Sequence, residues 1–288
     1  MRFSVQIGMC DPDHYLPMAK AAEAAGFHGV AVSDSICYPK EASSKYPYNA
    51  DGSREFLESV PFVECLVAVS AMAAVTEKVR FSTFVYKLAV RQAAVVAKQV
   101  QGIQVLSGNR FDFGIGISPW EEDFAVCDVA WEKRGKRFDE QIDILRGLET
   151  GEFFGFDGEL HQMPANKMCP VPSKPTPLLI GGHAEPALKR AARVGDGWMC
   201  AGASIQELEN YISRINSLRE EYGTADKPFK VFTTGQDAFT QEGIDKLESI
   251  GITEVIIGFR NVYDMEPDKS LQEKIDIMNW YAGEFING

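Results

Sequence analysis

The 288 residues are 45% hydrophobic and 24% charged, the proportions of a folded globular chain rather than a disordered one. Lys and Arg number 29 against 41 Asp and Glu, a formal charge of −12 that repels phosphate backbones and anionic lipid. Nucleic-acid and membrane-surface roles are thereby excluded, leaving a small-molecule substrate or another copy of the chain as partner.

Residues 3–9 form a short β-rich run that meets Asp11-Pro12-Asp13, without the unbroken apolar stretch of a signal peptide. Ala, Leu and Met at helical spacing predict a helix over 15–25, stopped by Gly26. Val30-Ala31-Val32 is the next apolar run, and Asp34 stands at its end. The cycle repeats as helix 59–75 and strand 79–86, helix 91–107 and strand 111–117, then helix 129–149 and strand 177–180. It continues as helix 184–194 and strand 197–201, helix 204–222 and strand 229–234, and helix 240–249 and strand 253–259, before a last helix over 269–286. Apolar strands that each precede a helix imply parallel pairing with both faces covered. Eight such units suit an α/β fold of the closed (β/α)8 TIM-barrel type, a single domain over 1–288, where six or seven would suit an open sheet. The dinucleotide fingerprint G-x-G-x-x-G is not completed: Gly114-Ile-Gly-Ile-Ser-Pro-Trp120 has Trp where the third glycine belongs.

Two connections are too long to be simple loops. Residues 35–58 follow the second strand, carry Tyr38, Tyr46, Tyr48, Pro39 and Pro47, and are expected on the catalytic rim as a lid or pocket wall. Residues 151–176 precede the fifth strand, and Phe153-Phe-Gly-Phe-Asp-Gly158 within them reads either as a surface hairpin or as part of a segment returning to that rim. Helix 60–75 is apolar nearly all round, so its outer face needs a cover. A homodimer through this helix is expected, the alternative being cover by loop 35–58. The six cysteines are scattered with no C-x-x-C pair, the usage of a reduced, cytoplasmic compartment.

Chemistry in such a barrel stands at the carboxyl ends of the strands. There the chain offers Gly8, Cys10, Asp34, Ser35, Phe84, Val85, Lys87, Gly116, Ser118, Gly181, Gly182, His183, Cys200 and Gly235, with few acids or bases. No metal-ligand spacing is present and the four histidines are far apart, so no metal is expected. The chemistry is expected to come from a bound organic cofactor. The stretch from Pro175 to Trp198 reads as strand, Gly-Gly turn and helix start, where backbone can approach a ligand and amides attract an anion.

Ala24-Ala-Gly-Phe-His-Gly-Val-Ala-Val-Ser-Asp34, Ala94-Val-Val-Ala-Lys-Gln99 and Leu106-Ser-Gly-Asn-Arg-Phe-Asp-Phe-Gly-Ile-Gly116 form a run of motifs. Arg134-Gly-Lys-Arg-Phe-Asp-Glu140, Gly181-Gly182 and Gly195-Asp-Gly-Trp198 continue it. In this order and spacing the chain resembles the luciferase-like monooxygenase family from Phe3 to the last helix. The resemblance implies a luciferase-like barrel binding reduced flavin mononucleotide or the deazaflavin coenzyme F420. It implies a bulge at Thr83-Phe84-Val85, often with a non-prolyl cis peptide, under the central ring of the cofactor. Gly114, Gly116 and Ser118 would let the fourth strand approach the cofactor, and Gly181, Gly182, His183 and Ala184 would hold its phosphate. Arg134 and Arg137 would face an anionic tail, or else pair with Glu132, Asp139 and Glu140. F420 dehydrogenases of this kind have His after the strand-two Asp and Glu after the strand-four glycines, where this chain has Ser35 and Pro119. Asp34 and Ser35 remain as catalytic candidates, with Glu121 or Glu122 if the loop is shifted, and Asp34 can equally serve by accepting loop amides. The resemblance implies an F420-dependent oxidoreductase. The alternatives are an FMN-dependent two-component monooxygenase and a cofactor-binding protein without turnover.

Overall fold

The computed structural model describes residues 1–42, 45–46, 52–235, 237–261 and 266–288. Pro47 and Tyr48 of the long second connection lie outside them. Strands β1 (Arg2–Ile7), β2 (Gly29–Val32), β3 (Arg80–Thr83), β4 (Tyr86–Lys87) and β5 (Phe111–Gly116) alternate with helices α1 (Tyr15–Ala25), α2 (Cys65–Ala73) and α3 (Ala93–Ser107). Helices α4 (Glu121–Val126) and α5 (Arg134–Glu149) follow, then the strand pair β6 (Phe154–Asp157) and β7 (Gln162–Asn166). The second half runs β8 (Leu178–Gly181), α6 (Glu185–Val194), β9 (Gly197–Cys200), α7 (Ile205–Glu221), β10 (Lys230–Thr234), α8 (Gln241–Ser249), β11 (Glu254–Ile257) and α9 (Leu271–Phe285). The sheet order β3-β2-β1-β11-β10-β9-β8-β5-β4 closes through β3–β5 pairing. Because β3 and β4 are two pieces of one stave, this is an eight-stave parallel barrel, as the alternation predicted.

Strand alternation divides the side chains. Val5, Ile7, Val30, Val32, Phe111, Phe113, Ile115, Ile180, Trp198, Val255 and Ile257 point outward into the helices. Ala31, Leu179, Met199, Phe232 and Ile256 fill the middle of the barrel, with Phe84 and Val85 packed on them. Below, at the amino ends of the strands, the axis is ionic. Asp112 accepts from Arg80 Nη2 at 2.7 Å and Lys230 Nζ at 2.7 Å. Ser4 donates to Glu254, which also pairs with His28 Nδ1 at 3.0 Å. Burial pushes the Asp112 carboxyl up, but Lys230 and Arg80 outweigh it and leave it below the ordinary aspartate value.

Two helix starts and one additional helix differ from the periodicity. Helix α2 starts at Cys65 rather than 59, because Pro61 disfavours helix before it and Glu64 caps the helix, accepting from Val67 N at 2.8 Å. Helix α5 starts at Arg134 rather than 129, since Lys133 adopts a left-handed φ of 55°. The short helix α4 went unpredicted. The 151–176 segment does contain the hairpin, β6 pairing antiparallel with β7. It lies along the outside of α5 with its tip fixed by Glu140, which accepts from the amides of Glu159, Leu160 and His161 at 2.9, 3.0 and 3.0 Å. Lys133 pairs with Glu159, so the tip returns as far as the rim end of α5.

Candidate active site

The peptide between Phe84 and Val85 is cis. Thr83 Oγ1 donates to Gly114 O at 2.7 Å, and Phe84 N donates to Val32 O at 2.8 Å, so the bulge is tied to both neighbouring staves. Its seat is made of glycine. A Cβ on Gly114 would lie 1.9 Å from Thr83 O, one on Gly116 would lie 2.8 Å from Val85 Cγ2, and one on Gly181 would lie 2.9 Å from both Val85 methyls. These glycines were expected to admit a ligand. Their direct task is to admit the Thr83–Val85 bulge, which thereby becomes a shelf across the barrel mouth. Gly8, Ser33 and Gly258 complete a small-residue rim on the opposite side, where a small open cleft of ≈ 30 Å³ runs beside Gly8, Cys10, Gly258 and Arg260.

Asp34 is placed at the mouth end of β2, as read from the sequence, but it is not a free acid or base. Its side chain is fully buried and grips Arg91 in two parallel contacts of 2.7 and 2.8 Å, while Oδ2 also accepts from Lys87 N at 2.8 Å. Arg91 in turn donates to Lys87 O at 2.9 Å. The pair therefore clamps the backbone of Lys87 from both sides, and Asp34 takes the structural alternative. Ser35, the other catalytic candidate, stands half-buried beside it.

Lys87 is the residue this clamp presents. Tyr86 points outward against Phe113, 5.3 Å between ring centroids, so alternation turns Lys87 inward toward the mouth. Its ammonium pairs with Asp123 at 2.7 Å and lies 4.4 Å from the Trp120 ring centroid. Ser118, expected near a cofactor, donates to Asp123 and accepts from Trp120 N at 3.1 Å, shaping this loop. Arg54 lies 4.8 Å from the same indole and pairs with Glu122 at 3.2 Å. Tyr46 and Phe56 of the long second connection pack here, Tyr46 lying 5.8 Å from Trp120 and 5.3 Å from Phe56. The connection thus does form a wall of the mouth. The sequence offered Lys87 only as a strand-end residue, and nothing local marked Asp123, 36 positions later, as its partner.

At the end of β8, Gly182 adopts a φ of +121°, which L side chains rarely take, and its carbonyl accepts from Trp198 Nε1 at 2.8 Å. Ala184 precedes α6 without a side-chain cap, so the helix start presents backbone. His183 turns aside, its Nε2 3.2 Å from Cys200 Sγ and its ring stacked 5.3 Å from Tyr211. Burial holds the His183 imidazole below its ordinary value, Glu207 pulling weakly the other way, and burial pushes the Cys200 thiol up to about 12. Burial thus favours the neutral imidazole and the neutral thiol, and the backbone of the turn is left to face an anion. Glu185 opens the helix but is neutralised by Arg214 at 2.6 Å and Lys189 at 3.6 Å. Small residues at the mouth and an uncapped helix start fit a planar head with an anionic tail.

Among the described residues Arg134 and Arg137 make no ion pair with Glu132, Asp139 or Glu140, the second of the two arrangements expected of them. Arg134 lies 3.6 Å over Trp131, and Arg137 donates to Ala130 O at 2.7 Å, so both brace the turn into α5. Asp139 is taken by Arg190 at 2.7 Å and Glu140 by His161 at 3.0 Å.

Comparison with known proteins places this geometry. An uncharacterized protein of Mycobacterium tuberculosis is 48% identical over 287 residues, covering 99% of each chain. F420-dependent glucose-6-phosphate dehydrogenase of Gordonia bronchialis is 25% identical over 275 residues, which is 94% of this chain and 70% of that one. Among solved structures, monooxygenase RslO1 from Streptomyces bottropensis superposes with a TM-score of 0.76 at 16% identity, covering 100% of this chain and 99% of that one. The family model described as luciferase-like monooxygenase matches residues 6–241, a span that holds every stave from β2 to β10, the Phe84–Val85 shelf and the Gly181-Gly182 turn. The chain belongs to the luciferase-like monooxygenase family of oxidoreductases.

Proposed function

We propose that this protein is an oxidoreductase using coenzyme F420 to transfer a hydride to or from a small organic substrate. The observation that carries the reading is the Thr83–Val85 shelf, seated by Gly114, Gly116 and Gly181 across the mouth and adjoining the Gly181–Ala184 turn. The name of the Gordonia bronchialis relative, which specifies F420, favours the deazaflavin over FMN. Bound there, the deazaflavin supplies or accepts the hydride. The chain's own part is positional. Val85 and Phe84 support the ring, the amides of the Gly182–Ala184 turn hold the phosphate, and Tyr46, Phe56 and Trp120 exclude water from the substrate side.

The test is titration of the pure protein with F420 and, separately, with FMN, followed by fluorescence. Binding of F420 with little affinity for FMN is expected, and preference for FMN overturns the deazaflavin reading in favour of the monooxygenase. Gly182→Asp is expected to weaken binding by more than Gly182→Ala, which controls for the φ of +121°, since only the former sets a carboxylate beside the phosphate. Equal affinities remove the turn from the site.

We also infer a homodimer, joined across α2 and α3. Val67 of α2 is 62% exposed, and Val95 and Leu106 of α3 are 58% and 84% exposed. This apolar surface lies on two helices that pack on each other. Light scattering on the eluted protein is expected to give twice 31.9 kDa, and Leu106→Glu with Val67→Glu the monomer.

A further inference from the structure

We infer that Lys87 is the catalytic acid of this mouth and that the substrate is a planar conjugated carbonyl compound, an inference that rests on the hydride-transfer reading above. Lys87 has its backbone fixed by the Asp34–Arg91 clamp, turns inward immediately beyond the shelf, and has a side chain only 12% exposed. Such precise placement of a flexible lysine is more than an ion pair at the surface needs. Two neighbouring donors show what the site lacks. Trp120 is 4% exposed, yet its Nε1–H has no hydrogen-bond acceptor among the described residues. Arg54 is 5% exposed, and its Nη1 has none there either. A buried donor without an acceptor is costly, so a cluster of them beside an ammonium calls for an oxygen-bearing ligand. The wall around it is aromatic, from Tyr46, Phe56 and Trp120, and favours a flat ligand.

The step balances as follows. A hydride from the reduced deazaflavin forms the new C–H bond at the β-carbon of an enone. The C=C pair moves to the next carbon–carbon bond, and the carbonyl pair moves onto oxygen. That oxygen takes a proton from the Lys87 ammonium, and the resulting enol relaxes to the ketone. The amine recovers a proton from water. The substrate has gained one hydride and one proton, and the deazaflavin has lost the hydride from carbon and a ring N–H proton to solvent, which balances the proton the amine takes back from water. Asp123, which pairs with Lys87, holds the ammonium in place and is a positioning residue.

The experiment has two arms. In the first, wild type, Lys87→Met and Lys87→Arg are assayed with reduced F420 and 2-cyclohexen-1-one, after F420 affinity has been measured for each. Wild type is expected to turn over, Lys87→Met to lose kcat by about 100-fold with F420 affinity unchanged, and Lys87→Arg to stay folded but inactive. Arginine keeps the charge opposite Asp123 and cannot release a proton, so a merely structural lysine would be rescued by it. The second arm needs no cofactor: p-nitrophenol mimics the enolate oxygen, and its colour reports ionisation. Bound to wild type or Lys87→Arg it is expected to ionise about one pH unit lower than in water, and bound to Lys87→Met it is not. Unchanged kcat in Lys87→Met, full activity in Lys87→Arg, ionisation indifferent to the charge at 87, or F420 binding without reduction of the enone each overturns the inference. Absence of F420 binding overturns the proposed function instead, and the p-nitrophenol arm still decides on Lys87.

Discussion

At the amino ends of the strands the barrel axis is filled by Arg80, Asp112, Lys230, Ser4 and Glu254, while at the carboxyl ends it is lined by Gly8, Ser33, Gly116, Gly181 and Gly258. Both regions use the same alternation and the same staves. They differ in what the inward positions carry. Long charged side chains at the base reach one another and close the axis, and small residues at the mouth leave room that the Thr83–Val85 bulge partly fills. The base is thus a stability element, and the mouth gives up packing in return for a site.

The sharpest way to break this division is Asp112→Asn. It leaves Lys230 and Arg80 facing a neutral amide, and loss of about 3–5 kcal/mol is expected in a denaturant titration, with F420 affinity of the remaining folded protein unchanged. A parallel loss of affinity would show that the two ends are not independent. Gly181→Ala probes the other end. Its Cβ would meet Val85 at 2.9 Å, so the shelf must shift, and about a tenfold loss of F420 affinity is expected with only about 1 kcal/mol of stability. The smallest effect concerns pH. The folded Asp112 carboxyl lies below the unfolded value of about 3.9. Its contribution is therefore full above that value and is lost as pH falls through the folded one. Wild type should lose stability on acidification below about pH 4 more steeply than Asp112→Asn, as read from urea midpoints.

The eight-stave barrel was legible because apolar strands and amphipathic helices leave a local periodic trace, and Gly26 ends its helix in the left-handed conformation its sequence position suggests. The hairpin was one of two readings left open for residues 151–176, and the pairing of β6 with β7 decides for it. The position of the shelf came from family resemblance; composition gave no sign of it. What was not legible is pairing over long separations. Asp34 reads as a strand-end acid until Arg91, 57 residues later, is seen to occupy both its oxygens. Gly114 and Gly181 read as ligand-facing until the Thr83–Val85 bulge is seen to fill the space above them. Arg134 and Arg137 read as a charge cluster, yet one finds an indole and the other a carbonyl. Helix α2 was drawn too long because a glutamate cap carries a weaker signal than Ser, Thr or Asp.

The fit of Val85 against Gly116 and Gly181 ties three distant positions into one inheritance. While the valine stays, a side chain on either glycine forces the shelf to shift. Were it trimmed to alanine, both would be released together, and the floor of the mouth would become open to side chains at two positions at once.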